Sequence, residues 1–266
     1  MPPVALTIAG SDPSGGAGIQ ADLKTFHQFG VYGEAVITLL TVQNSVRVSR
    51  VETMPADLVI EQLVAVLEDI PPAAVKTGAL GSAEVVCAVA RALADLETPL
   101  VVDPVMLSKT KALLISESAV AVLNRELIPR ASLLTPNAPE AEALTGILIR
   151  DVSDMRNAAT SLCEMGARAV LIKGGHVGDS AELVDVLFDG SSYREFSAPR
   201  IRTTHTHGTG CTYAAAITAG LAIGLKLGDA VARAQQFVHE AIRTAPGLGH
   251  GCGPLNHHAV CGEMSA

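Results

Sequence analysis

Residues 4–26 read VALTIAGSDPSGGAGIQADLKTF: a short apolar stretch, a glycine-rich turn, then apolar residues at helical spacing. A short apolar run bounded by turn residues predicts a buried strand, and the turn from Gly10 to Gly18 hands the chain to a helix. The same order recurs. Residues 35–40, 73–75, 100–102, 133–134 and 170–172 are further apolar runs. They lead into Thr41-Val42-Gln43-Asn44, Lys76-Thr77-Gly78, Asp103-Pro104-Val105, Thr135-Pro136-Asn137 and Lys173-Gly174-Gly175. Helical spacing predicts helices over 55–69, 82–96, 116–127 and 152–165, with Ser82, Ser116 and Ser153 available as N-caps, and two more over 208–224 and 228–244. Strands alternating with helices of this length predict an α/β fold, a central, mostly parallel β-sheet flanked by helices on both faces. Ligands bind beyond the carboxyl ends of such strands, so the polar clusters should gather at one edge.

The 266 residues are 48% hydrophobic and only 17% charged, with 24 glycines, which suits close packing of helices on a sheet. No repeat, linker or compositional shift divides the chain, so 1–266 reads as a single domain with a short irregular tail over about 256–266. A net charge of -8 argues against a nucleic-acid partner, which needs clustered cations, but not against a nucleotide held by Mg²⁺ and backbone amides. Residues 4–9 lack the basic flank and cleavage site of a signal peptide, and the longest apolar stretch, 214–225, is shorter than the ~20 residues of a membrane span. Cys87, Cys163, Cys211, Cys252 and Cys261 are odd in number and scattered, as in a cytoplasmic protein with free thiols.

Two nucleotide motifs nearly fit the first glycine turn. Gly10 and Gly15 have P-loop spacing, but Gly16 and Ala17 stand where Lys and Ser or Thr must meet phosphate and metal. Gly16-x-Gly18-x-x-Ala21 begins too far past the strand for a dinucleotide fingerprint. A turn serving only tight packing stays open. The second turn, Thr206-His207-Gly208-Thr209-Gly210-Cys211, precedes the apolar run at 214–225. Successive amides there would form an anion nest, strengthened by the helix dipole, which would also lower the Cys211 thiol pKa. A small buried cysteine beside a turn is the plainer reading. His205, His207, Cys211, Cys252 and His257 include zinc-ligand types without a recognised spacing. Asn137 and Glu140 form either oxygen donors for Mg²⁺ or a capping box, and the two roles can coexist. Lys173 could reach phosphate from its strand end, and Asp103 could help hold Mg²⁺ or simply begin the turn before Pro104.

Taken in order, ALTIAGSDPSGGAGIQADLKTF, LTVQN, KTG, VDPVM, LLTPNAPEAEALTG, IKGGH, HTHGTGCTYAAAI and GHGCGPLNH resemble the hydroxymethylpyrimidine and phosphomethylpyrimidine kinases of thiamine biosynthesis, in the ribokinase-like superfamily. The resemblance covers nearly the whole chain. It implies a single α/β domain, usually a homodimer, that uses ATP and Mg²⁺ to phosphorylate 4-amino-5-hydroxymethyl-2-methylpyrimidine to the monophosphate and then the diphosphate. It implies Cys211 as general base; Gly208, Thr209 and Gly210 as anion hole; Lys173, Asn137 and Thr209 at the nucleotide; and Glu140 with Asp103 at Mg²⁺, through water. It further implies Gln43 and Asp22 at the pyrimidine, with Gly10 beside them. A carboxamide such as Gln43 can pair with an amino group and the adjacent ring nitrogen.

Two departures fall near the acceptor pocket: Ala79 stands where the family commonly has Met, and Lys109-Thr110-Lys111 where it has Gly after Lys-Ser. Ala79 would enlarge the pocket, and Lys111 would stiffen or charge a flap. The rival readings are a pyridoxal or pyridoxine kinase of the same branch and a non-catalytic ligand-binding relative.

Overall fold

The computed structural model describes residues 2–108, 112–177 and 180–260. Its strands are β1 (Val4–Ser11), β2 (Tyr32–Gln43), β3 (Val48–Thr53), β4 (Ala74–Thr77), β5 (Leu100–Val102), β6 (Leu133–Leu134), β7 (Val170–Ile172), β8 (Glu182–Phe188) and β9 (Tyr193–Pro199). The α-helices are α1 (Gly18–Gln28), α2 (Ala56–Asp69), α3 (Ala83–Ala92), α4 (Glu117–Val122), α5 (Ala138–Thr145), α6 (Val152–Glu164), α7 (Thr209–Ala222) and α8 (Leu227–Arg243). Among the described residues the strands make one sheet, ordered β3-β2-β1-β4-β5-β6-β7-β8-β9. The central strands β2, β1, β4, β5, β6 and β7 run parallel, while β3, β8 and β9 join antiparallel at the flanks.

All six apolar runs became these parallel strands, and all but the one in β2, next to the sheet edge, are buried on both faces. Side chains alternate between two cores. Val102, Leu134, Val170 and Ile172 pack with Val59 of α2, Val86 of α3 and Met155 of α6, whereas Val101, Leu133 and Leu171 pack with Phe26 of α1, Ala215 of α7 and Phe237 of α8. The flanking strands carry no unbroken apolar run: β3 and β9 are largely solvent-facing, and the buried Asp185 interrupts β8. They escaped the reading by apolar runs for that reason.

Helix α7 is buried nearly all round, and its small side chains let the sheet and α8 come close. A methyl group added at Gly220 would lie 2.9 Å from the Ala230 Cβ. Ser82 and Ser116 cap α3 and α4 as expected, accepting from the Val85 and Ala119 amides. The expected Ser153 cap is corrected to Asp151, which accepts from the Asp154 amide at 3.0 Å. An anionic acceptor is favoured at that end of the helix dipole.

Candidate active site

The carboxyl ends of β1, β2 and β4 to β7 open on one cavity of about 1140 Å³. Gly10 and Gln43 line one part of it, Lys173 and the turn from Gly208 to Cys211 another, and Leu183, Val238 and Ile242 form an apolar wall. The convergence follows from the parallel register, which delivers successive strand-end turns to the same side of the sheet.

Gly208 starts α7 with φ +83° and lies against the first glycine turn, where an added Cβ would sit 1.7 Å from the Gly16 carbonyl oxygen. Only glycine permits both the left-handed backbone and that approach. The following helix start leaves first-turn amides without intrahelical acceptors. One part of the expected nest is corrected: the Thr209 amide turns back to the Thr206 carbonyl at 3.3 Å, and the Thr209 hydroxyl donates to the same oxygen at 2.8 Å. Gly210 and Cys211 are the amides best placed to face an anion.

Cys211 stands in the first turn of α7 and lines the cavity. The expected acidic thiol is also corrected. Burial pushes the thiol up to about 12, with Lys76 opposing the shift and Asp22 and Asp103 adding to it. Desolvation of a thiolate outweighs the helix dipole here.

Beside this turn, Lys173 Nζ donates to Asp103 Oδ1 at 2.9 Å, and the Thr135 hydroxyl donates to the same oxygen at 3.2 Å. A Cβ at Gly210 would lie 3.3 Å from that ammonium, so the cation and the helix start face each other. Burial works against the Lys173 charge, but Asp103 and Glu140 outweigh it and hold the ammonium above its ordinary value. Asn137 and Glu140 form the full capping box of α5: Asn137 Oδ1 accepts from the Glu140 amide at 2.9 Å and Glu140 Oε2 from the Asn137 amide at 2.8 Å. Burial pushes the Glu140 carboxyl up to about 7, opposed by Lys173 and assisted by Asp103. Two carboxylates thus share one lysine. Asp185 ties this cluster to α7, accepting from the Gly174 amide at 2.8 Å and the Tyr213 hydroxyl at 3.0 Å.

On the acceptor side, Gln43 faces the cavity with its amide nitrogen 3.2 Å from His207 Nε2, which lies 2.7 Å from Asp12 Oδ2. Gly10 lines the same wall, where a Cβ would strike Leu39 at 2.5 Å. Ala79 lines it too. Asp22, expected at the pyrimidine, does not reach the cavity wall: its side chain is fully buried and bonded to Lys76 Nζ at 2.9 Å and the Thr7 hydroxyl at 2.6 Å. It lies on the inner side of α1, one layer behind the cavity. Lys109-Thr110-Lys111 and Cys261 lie outside the described residues. Among the described residues no three His, Cys, Asp or Glu side chains form a ready-made metal site, including the histidines and cysteines near α7.

Sequence reasoning missed Asp12, Lys76 and Asp185 as parts of this site. Lys76 stood in a strand-end cluster and could have been found there. Asp12 and His207 are 195 residues apart and carry no mutual signal.

A family model described as phosphomethylpyrimidine kinase matches residues 12–256. The chain is 52% identical over 255 residues to the thiamine biosynthesis bifunctional protein ThiED of Geobacter sulfurreducens, covering 95% of this chain and 51% of that protein. It therefore spans about half the length of that relative. It is 47% identical over 256 residues to the hydroxymethylpyrimidine/phosphomethylpyrimidine kinase of Bacillus subtilis, covering 96% of this chain and 94% of the other. Among solved structures, the pyridoxal kinase from Staphylococcus aureus in complex with AMP-PCP and pyridoxal shares the fold with a TM-score of 0.90 at 35% identity, over 97% of this chain and 94% of that one. The fold is ribokinase-like.

Proposed function

Because the chain belongs to the phosphomethylpyrimidine kinase family, we propose how its cavity carries out the two phosphorylations of that activity. The chain is a kinase that phosphorylates 4-amino-5-hydroxymethyl-2-methylpyrimidine with ATP to the monophosphate and then to the diphosphate, in thiamine biosynthesis. The observation that carries the site assignment is that Gln43 and the Gly208–Cys211 turn line one cavity and are linked through His207.

In our reading the pyrimidine pairs with Gln43, near Gly10, and the triphosphate lies against the amides of Gly210 and Cys211 and the Lys173 ammonium. The adenine occupies the apolar wall of Leu183, Val238 and Ile242. Asp103 and Glu140 fit Mg²⁺, since two buried carboxylates facing a single lysine leave an acidic excess. When bound, the metal neutralises phosphate charge. The acceptor oxygen attacks the γ-phosphorus and the bond to the bridging oxygen of ADP breaks; in the first phosphorylation the hydroxymethyl proton leaves late, to the transferred phosphoryl oxygens and on to solvent, whereas the phosphate acceptor of the second is already an oxyanion. Charge on the transferring oxygens is met by the two amides and Lys173, and a loose transition state puts little demand on a base. Cys211, protonated at neutral pH, acts as a hydrogen-bonding partner of the acceptor oxygen rather than as a preformed thiolate.

The second reading, a pyridoxal kinase, is favoured by Ala79, which leaves room beside Gln43 where the family commonly has Met. ADP release with MgATP and, separately, hydroxymethylpyrimidine, its monophosphate, pyridoxal or no acceptor distinguishes the readings. Turnover with both pyrimidines is expected; turnover with pyridoxal alone selects the second reading, and no turnover with any acceptor selects a binder. We also read residues 1–266 as one domain. A homodimer is supported by the exposed Leu40, Val42 and Val46 on the β2–β3 edge, and cytoplasmic placement by the free thiols of Cys87, Cys163, Cys211 and Cys252. Among the described residues no helix is long and apolar enough to cross a membrane.

A further inference from the structure

Asp12 accepts four hydrogen bonds. Its Oδ1 takes the Ser14 amide at 2.9 Å and the Ser14 hydroxyl at 2.7 Å, and its Oδ2 takes the Ala17 amide at 2.9 Å and His207 Nε2 at 2.7 Å. Burial alone would raise the Asp12 carboxyl, but the bonds from His207 and Ser14 outweigh it and hold the group below its ordinary value. An ionised carboxylate only accepts, so His207 Nε2 carries a proton and commits it to Asp12. That leaves no lone pair on Nε2 for the Gln43 amide nitrogen 3.2 Å away. Two donors facing each other are relieved by a half-turn of the carboxamide, which brings its oxygen to the shared Nε2–H and turns its NH₂ toward the cavity. The imidazole is buried and packs against the first glycine turn. Its Cδ2 lies 2.4 Å from where a Cβ on Gly16 would be, and the His207 amide donates to the Gly253 carbonyl at 3.0 Å.

We infer that the Asp12–His207 pair sets the orientation of the Gln43 carboxamide and so decides which way round the acceptor heterocycle lies, making His207 a positioning residue for the site of phosphorylation. The inference rests on the kinase reading above. A carboxamide presents acceptor and donor side by side in one order, and an amino group beside a ring nitrogen answers only that order. Reversing the amide turns the ring over. The hydroxymethyl carbon, attached next to the amino-bearing carbon, then moves to the other side of Gln43. His207 directly precedes Gly208, so one residue fixes both the amide order and the start of the anion turn.

Calorimetric binding without ATP tests this with two ligands, 4-amino-5-hydroxymethyl-2-methylpyrimidine and the analogue with hydrogen in place of the amino group. The wild type should prefer the amino compound by about tenfold or more, as expected for a hydrogen-bonding pair lost from a buried site. His207→Phe should bring that ratio close to one. His207→Gln should restore most of it, because its terminal NH₂ can reach Asp12 as Nε2–H does. In turnover, His207→Phe should raise KM for the pyrimidine while leaving KM for ATP nearly unchanged. A wild-type ratio retained by His207→Phe overturns the inference, as does equal loss in the Phe and Gln variants. A wild type without preference overturns the reading of Gln43 itself, and the inference with it.

Discussion

Lys76 Nζ lies 2.9 Å from Asp22 Oδ2, and neither side chain has any solvent exposure. Burial works against the Lys76 charge, yet Asp22 outweighs it and keeps the ammonium above its ordinary value, with Cys211 and Asp103 adding to the effect. The pair forms a fixed, net-neutral ion pair behind the cavity wall. Removing one partner strands the other charge in the core, so Asp22→Ala should cost about 3–5 kcal/mol by urea unfolding. Replacing both, as Lys76→Met with Asp22→Leu, should recover most of that loss. A single variant as stable as wild type would show that the pair is not held as an ion pair.

Cys211 should react slowly despite its place in the first turn of α7. A thiol pushed up to about 12 by burial is almost wholly protonated at pH 8, with a thiolate fraction on the order of 10⁻⁴. Mass spectrometry after iodoacetamide treatment should find Cys252 modified well before Cys211. Lys76→Met should slow Cys211 further, because it removes the nearest charge favouring the thiolate. Alkylation of Cys211 at the rate of a free peptide thiol would contradict this.

Cys211→Ala should lower turnover more than ATP affinity. The nucleotide is assigned to backbone amides and Lys173, which the substitution leaves in place, whereas the acceptor oxygen loses its sulfur partner. Steady-state kinetics beside ATP-analogue titration gives the comparison. Equal turnover by the variant would remove Cys211 from the mechanism.

Gly208→Ala should be among the most damaging single-methyl additions. The new carbon would lie 1.7 Å from the Gly16 carbonyl oxygen on a backbone with φ +83°, so one of the two glycine turns must move. We expect a loss of at least about 10²-fold in kcat, comparable to removing a donor from an anion hole, with a lowered Tm. Gly146→Ala is the control, since it has a similar φ of +74° but nothing within 4 Å of the added carbon. Comparable loss of activity in both would assign the effect to backbone strain instead of the collision.

Glu140 should make the ligand-free protein less stable as pH rises. Its carboxyl is pushed from 4.5 up to about 7, so across that window the folded protein keeps a proton that the unfolded chain has released. The stabilisation is complete below 4.5 and is lost as pH rises through about 7. Glu140→Gln should flatten the dependence between pH 5 and pH 8 in urea-midpoint measurements. An unchanged slope in the variant would place the titration elsewhere.

Much of the architecture was legible because a strand buried on both faces is mostly apolar along its length. The runs at 100–102, 133–134 and 170–172 became β5, β6 and β7 with the predicted bounds. β8 was not legible: its buried Asp185 interrupts the apolar pattern and finds partners in Gly174, Tyr213 and Gln235 only after folding. The capping box of Asn137 and Glu140 could be read from a three-residue spacing, because capping is local chemistry.

The sequence by itself determined the alternating strands and helices, the common edge for the polar strand ends, and the glycine turn at the head of α7, since each depends on residues adjacent along the chain. Only the tertiary structure decided that Asp22 serves Lys76 and lies behind the cavity wall, that Cys211 is a half-buried neutral thiol, and that Asp12 meets Gln43 through His207. These depend on desolvation and on hydrogen bonds between segments distant in sequence, and neither exists until the sheet has brought those segments together.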